Sequence, residues 1–176
     1  MNKPIAICLV TASRFDAYTE ELADLLNACV QEGASIGFII PHPVSESLAF
    51  WCERVRPGLL LGTRQLLVAT CDGRVTGSVQ LISDMFPNQT HRADVSKLMV
   101  HPQFRRRGIA RALMEELQNL ACQHERKLLT LDTISGSSAE SLYLSLGFKR
   151  AGEIPNYARH VFENRLEPTT IMYKML

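Results

Sequence analysis

A chain of 176 residues with 46% hydrophobic and 21% charged side chains is long enough to fill one globular core, short for two, and too apolar to remain disordered. Nineteen Lys and Arg stand against eighteen Asp and Glu, a formal charge of +1, which argues against an extended nucleic-acid or anionic-membrane partner. Five widely spaced cysteines with no C-x-x-C pair, and five histidines without ligand spacing, predict reduced, mostly buried thiols and no metal site.

No apolar run approaches the ~18 residues of a membrane span, so a cytoplasmic protein is expected. The first apolar run, Ile5 to Val10, reads as a strand over residues 4–11 rather than as a signal peptide, because Arg14, Asp16, Glu20 and Glu21 follow at once. Ser13-Arg14-Phe15-Asp16 has capping-box spacing. Phe15, Tyr18, Leu22, Leu25, Leu26 and Cys29 then recur at steps of three and four, predicting a helix up to Gly33. A second helix is predicted from Ser45, with Leu48, Trp51, Cys52 and Val55 on one face and Pro57-Gly58 as its stop. The connection between them, residues 33–43, is rich in Gly and Pro yet apolar at Phe38, Ile39 and Ile40. It either packs as a buried connection or lines a pocket.

Residues 65–70 and 75–82 flank Asp72-Gly73, a hairpin signal because Gly accepts the positive φ of a type I′ turn. After a polar loop, residues 93–100 alternate, placing Asp94, Ser96, Leu98 and Val100 on one face and Val95, Lys97 and Met99 on the other. A helix then begins at Gly108, with Ile109, Leu113, Leu117, Leu120 and His124 as its inner stripe. Residues 127–133 form the next strand. Ser137-x-x-Glu140 caps a short helix whose inner residues are Ala139, Leu142, Tyr143 and Leu146, and Gly147 stops it. Strands at 148–153 and 170–175, separated by a loop containing Pro155 and Asn156, close the chain. The expectation is one α/β (α+β) domain over residues 1–176, a mixed, largely antiparallel sheet of six or seven strands flanked by four helices.

The chemistry concentrates in Gln103-Phe104-Arg105-Arg106-Arg107-Gly108-Ile109-Ala110-Arg111, between a strand and a helix. Four of the nineteen basic residues fall here, and no acid interrupts residues 95–114, where Lys97 adds a further cation. A helix start leaves backbone N–H groups unpaired and presents the positive end of its dipole, so a phosphate site is predicted. Gly108 and Ala110 are small enough for a diphosphate to approach the main chain. The spacing is neither a Walker loop nor G-x-G-x-x-G. The competing reading is a solvated Arg-rich face.

Leu98-Met99-Val100-His101-Pro102 with Arg105-x-x-Gly108-x-Ala110 resembles motif A of the GNAT superfamily of N-acetyltransferases. Ala139-x-x-Leu142-Tyr143-x-x-x-Gly147-Phe148 resembles its motif B, in the expected order. The resemblance implies a GNAT-like twisted sheet and acetyl-CoA as cosubstrate. Arg105, Arg106, Arg107, Gly108, Ile109, Ala110 and Arg111 would hold its diphosphate, and Leu98, Met99 and Val100 its pantetheine arm. It also implies that two adjacent parallel strands, at residues 94–100 and 127–133, splay to admit the thioester. Tyr143 matches the family's general acid, although a phenol of pKa ~10 serves a thiolate of pKa ~8.5 better as a hydrogen-bond donor than as a full acid. Asp94 falls where many members carry a catalytic acid, commonly Glu, and Asp132 lies on the neighbouring strand. Either could relay a proton or bind the acceptor's ammonium group.

Gly136 departs from the Asn common in the family, so Ser135 or Ser138 would steady the pantetheine instead. Loop position nominates His42, Trp51 and Tyr157 for the acceptor pocket. Within the superfamily the sequence most resembles the tabtoxin-resistance acetyltransferases, which modify a small amino-acid-like β-lactam. The shared stretches are residues 33–38, 97–100, 131–133, Gly136 with Ala139-Glu140, residues 152–155, Tyr157 and Pro168-Thr169. The implied reaction is acetyl transfer to the primary amine of a small molecule by direct attack in a ternary complex, by a monomer or homodimer. Protein N-terminal or lysine acetylation, a non-catalytic acyl-CoA sensor, and RNA binding by the arginines are the competing readings. The last is disfavoured because, Phe104 apart, no aromatic interleaves them.

Overall fold

The computed structural model describes residues 4–176. Seven strands form one sheet: β1 (Ala6–Val10), β2 (Arg64–Cys71), β3 (Arg74–Ile82), β4 (Arg92–Val100), β5 (Leu128–Ile134), β6 (Lys149–Arg159) and β7 (Leu166–Met175). Their order is β1-β2-β3-β4-β5-β7-β6. Every neighbouring pair is antiparallel except β4 and β5, the parallel pair that the intervening helix makes possible. Asp72 and Gly73, at φ 52° and 77°, make the predicted hairpin turn between β2 and β3.

Helices cover both faces. On one side α4 (Ile109–Gln123) and α5 (Ser138–Ser145) pack on the sheet through Ile109, Leu113, Met114, Leu117, Leu120, Ala121 and Tyr143. Burying each large apolar side chain there contributes about 1.5–3 kcal/mol. His124 is not part of this stripe; it caps the exposed C-terminus of α4. On the other side lie α1 (Thr19–Gln31) and one continuous helical run made of α2 (Val44–Ala49), a π-helical segment (Phe50–Val55) and α3 (Arg56–Leu60). Their core includes Phe15, Leu22, Leu25, Leu26, Trp51 and Val55.

Three local expectations fail for identifiable reasons. The capping box at Ser13 does not form, because residues 12–18 make a 3₁₀ turn first and α1 begins only at Thr19. Pro57 does not stop the second helix. The preceding π segment, in which Arg56 N donates to Trp51 O, widens the ladder where the proline ring and missing N–H would break an α-helix. Finally, Pro155 and Asn156 lie inside β6, where a register shift and a φ of 54° at Asn156 absorb them on an exposed edge strand. Among the cysteines, Cys52 and Cys122 are exposed and all five are free.

The feature that positions the site is a bulge in β4. Ser96 pairs with Gln80 and Met99 with Ser78, so β4 carries an extra residue, and Lys97 sits at φ 52°. The bulge reverses the side-chain phase. Ala93 and Val95 face the α4–α5 core, as do Leu98 and Val100, while Met99 joins the α1 core. The simple alternation expected from the sequence therefore holds only up to Ser96. Lys97 turns to the α1 side, the same side as Asp94, instead of opposing it.

Candidate active site

Pairing of β4 with β5 runs from Arg92–Leu128 to Asp94–Thr130, and two cavities lie farther along the two strands. The smaller, about 330 Å³, is bordered by residues 94–96 and 130–132 together with Ile82, Tyr157 and Ile171. The larger, about 750 Å³, is bordered by residues 98–100, Ile134, the start of α4, the first turn of α5 and residues 32–36. The two cavities thus succeed one another along the same parting strands.

At the larger cavity, Gly108 is the N-cap of α4 in a left-handed conformation, with no side chain capping the helix. Arg106 is left-handed as well, at φ 63°. Left-handed residues so close together turn main-chain N–H groups towards one side, as anion-binding nests do. The first α4 bond runs from Ala112 N to Gly108 O, so the N–H groups of Ile109, Ala110 and Arg111 precede the intrahelical ladder. A Cβ built on Gly108 would meet no heavy atom within 4 Å, which leaves the helix start open to a ligand. Arg105, Arg106 and Arg111 line this cavity with Gly108, Ile109 and Ala110. Arg107 does not; it stacks on Phe104 at 5.0 Å and donates to Gln103 O. Open N–H groups plus three guanidinium groups fit a diphosphate.

Leu98, Met99, Val100 and Ser138 border the same cavity. The Val100 carbonyl accepts from Arg105 Nε at 3.3 Å and from Cys29 Sγ at 3.5 Å, and burial pushes the Cys29 thiol pKa up. Ser135 points elsewhere, sharing a hydrogen bond with Thr170. Residues 33–36 line the cavity while Phe38 and Ile40 pack on the α1 core, so the apolar connection performs both expected roles.

The wall formed by α5 is held by Glu140. Ser137 Oγ caps the helix by accepting from Glu140 N at 3.2 Å, and Glu140 Oε2 accepts from Gly136 N at 2.5 Å. Arg150 Nε donates to Glu140 Oε1 at 2.6 Å, and this bond, followed by that of Gly136, holds the Glu140 pKa below the usual carboxylate value. A depressed carboxylate adds stability above its unfolded pKa of ~4.3 and loses it as pH falls through the lower folded value. Glu140→Gln should therefore lower the denaturation midpoint at pH 7. Urea titrations between pH 5 and 3 should show a flatter acid decline in the variant than in the wild type.

Asp94 and Asp132 both border the smaller cavity, from adjacent strands, with Tyr157 opposite. Asp94 Oδ1 accepts from Arg92 Nη1 at 2.7 Å and from Thr130 Oγ1. Asp132 is exposed, and its carboxylate makes no hydrogen bond or direct ion pair among the described residues, though its charge acts on Lys97 and Tyr143. Tyr143 is buried on α5 in the α4–α5 core, its ring 5.7 Å from that of Phe148; it borders neither cavity itself, while Ala139 and Leu142 of the same helix line the larger one. Burial first, and then the negative charge of Asp132, raise its pKa well above that of an ordinary phenol.

His42 and Trp51 border neither cavity. His42 is buried, with Nδ1 on Glu46 and Nε2 on Ser47, and Trp51 is fully buried and donates to Leu22 O at 2.9 Å. Both ring polarities are spent on holding the helices together.

The family model of the acetyltransferase (GNAT) domain matches residues 62–150, from β2 through the Arg105–Arg111 turn to the beginning of β6. The chain belongs to the GNAT acetyltransferase family. It is an acetyl-CoA-dependent N-acetyltransferase. The L-amino acid N-acetyltransferase AaaT of Escherichia coli is 29% identical over 124 residues, 68% of this chain and 70% of that protein. An N-acetyltransferase of the hisH-hisA intergenic region of Azospirillum brasilense is 32% identical over 129 residues, covering 70% and 74%. Among solved structures, the acetyltransferase yncA of Salmonella typhimurium, determined with its cofactor acetyl-CoA, superimposes with a TM-score of 0.78 at 23% identity. The match covers 98% of this chain and 94% of that one, and at this identity the likeness is one of fold.

Within the GNAT fold, the cavity residues that sequence reading passed over include Cys29, Glu32, Ser137, Ser96 and Thr130. Period-two alternation is the signal that places Ser96 on the face of Asp94 and Thr130 on the face of Asp132. Nothing local marked Lys97 as a bulge, since a non-glycine at positive φ has no sequence signature.

Proposed function

We propose that the chain transfers the acetyl group of acetyl-CoA to the primary amine of a small amino-acid-like acceptor. The observation that carries this reading is the 330 Å³ cavity with Asp94 and Asp132 on its wall, lying next along β4 and β5 to the cavity that fits the cofactor. Its volume is at the lower end for small-molecule sites and suits a single small acceptor better than a peptide chain. The amino-acid specificity of the E. coli relative's name supports the same class.

Acetyl-CoA supplies the acetyl group as an activated thioester. The protein must supply a neutral amine, and deprotonating a primary ammonium at pH 7 costs about 4–5 kcal/mol. Asp94, already holding Arg92 and Thr130, is fixed in position and suits binding of the ammonium; Asp132, without such partners, is free to accept its proton. Tyr143 stays protonated and offers a hydrogen bond to the departing thiolate. Asp132→Asn should lower kcat/KM at pH 7 by about 10²-fold, with recovery as pH rises and the amine loses its proton unaided. A loss independent of pH would remove Asp132 as the base.

The reaction itself is tested by following free thiol release with a panel of free amino acids, a β-lactam amino acid and short peptides. The β-lactam is the acceptor class that a detoxification role predicts. Turnover with peptides alone would replace the small-acceptor reading by protein acetylation.

A further inference from the structure

Near the smaller cavity, on the α1 side of the sheet, two partly buried cations make no direct ion pair among the described residues, Asp132 attracting Lys97 and Asp84 attracting Arg64 only at longer range. Lys97 projects from the β4 bulge and donates from Nζ to Ile36 O at 2.7 Å, with the rings of Phe38 and Phe50 at 5.8 and 5.6 Å. Arg64 donates from Nη1 to Gln80 Oε1 at 2.6 Å. Their charges are close enough to disfavour one another.

Gln80 is fully buried, and its Nε2 is a buried donor with no partner. It is the cross-strand partner of Ser96 and lies two residues before Ile82, both of which border the smaller cavity. Ile36, the acceptor of the Lys97 bond, borders the larger one. Lys97, Gln80 and Arg64 themselves border neither cavity; the Lys97 ammonium is held at Ile36 on the wall of the larger one and interacts electrostatically with Asp132 on the wall of the smaller.

Gly37, at φ 95°, packs beside this ammonium: a Cβ built there would make an ordinary contact with Lys97 Nζ at 3.5 Å. Burial pulls the Lys97 pKa down, Asp132 opposes that, and Arg64 adds to it. Buried cations and an orphaned amide donor are costly unless an anion completes them.

We propose that Lys97, Gln80 and Arg64 form the binding site for the acceptor's carboxylate, which makes the enzyme selective for amino acids over simple amines. This rests on the small-acceptor reading above and names its specificity determinant. The acceptor's two charges then meet opposite partners: its ammonium group lies at Asp94 and Asp132, its carboxylate at Lys97.

The test compares the twenty protein L-amino acids with their carboxamides, which keep the shape and the amine but lose the negative charge. For the best acceptor, the wild type should favour the acid over its amide by about 10²-fold or more in kcat/KM, and Lys97→Met should reduce that ratio to within a few-fold of one, mainly through KM. Gln80→Leu, which keeps both cations but removes the orphan donor and the acceptor of the Arg64 bond, should reduce it by about 10-fold and serves if Lys97→Met does not fold. A wild type that turns over acids and amides equally would overturn the carboxylate site while leaving small-amine acetylation intact. A ratio unchanged in both variants would do the same and assign Lys97 to propping the Phe38–Phe50 contact. Release of thiol with peptides alone would instead overturn the small-acceptor reading and this site with it.

Discussion

Tyr143→Phe should lower kcat by about 10²-fold while changing the affinity for coenzyme A by no more than about two-fold. The variant keeps the ring, and with it the contact to Phe148 at 5.7 Å and the inner face of α5, so the fold should survive. What it loses is one hydroxyl. Burial and Asp132 raise the Tyr143 pKa, which keeps that hydroxyl protonated across the working pH range. A group so weakly acidic contributes by donating a hydrogen bond to developing negative charge, an interaction absent from the ground state and therefore expressed in kcat. The pH–rate profile should accordingly show no limb from Tyr143 below pH 10. Unchanged turnover would reduce Tyr143 to a core aromatic.

Gly108→Val should weaken acetyl-CoA binding by about 10²-fold, measured by calorimetric titration, equivalent to losing one or two charge-assisted hydrogen bonds of about 1.5–3 kcal/mol each. Two effects combine at this position. A β-branched residue at φ 80° is strained by about 1–3 kcal/mol, and its methyl groups occupy the open space in front of the α4 N–H groups. Because an added Cβ meets no protein atom within 4 Å, the damage should fall on the ligand more than on the core. Among the arginines, removing Arg105 or Arg106 should cost more affinity than removing Arg107, whose guanidinium stacks on Phe104 away from the cavity. Equal binding by wild type and Gly108→Val would dissociate the turn from the diphosphate.

Local sequence made most of the architecture legible. Asp72-Gly73, the stripe from Ile109 to Leu120 and the Ser137 cap are short-range signals, and each appears where its residues predict it. The same holds for the conformation of the basic turn, because a helix start, a glycine and a run of arginines occupy consecutive positions. Failures arose where packing or an unusual backbone overrides a local preference. Trp51 and His42, polar aromatics in plausible places, are consumed by bonds to Leu22, Glu46 and Ser47. Pro57 stays helical only because the preceding segment widens into a π turn.

The sequence by itself determined the family, the element order and the basic turn at the start of α4, since these depend on residues adjacent in the chain. Only the tertiary structure decided which side chains share the α1 side of β4. One extra residue in β4 reverses the side-chain phase and swings Lys97 to the side of Asp94, and the β3–β4 register sets Gln80 opposite the neighbouring Ser96. Cross-strand register is a property of pairing over long separations, and a phase reversal at a non-glycine residue leaves no local trace.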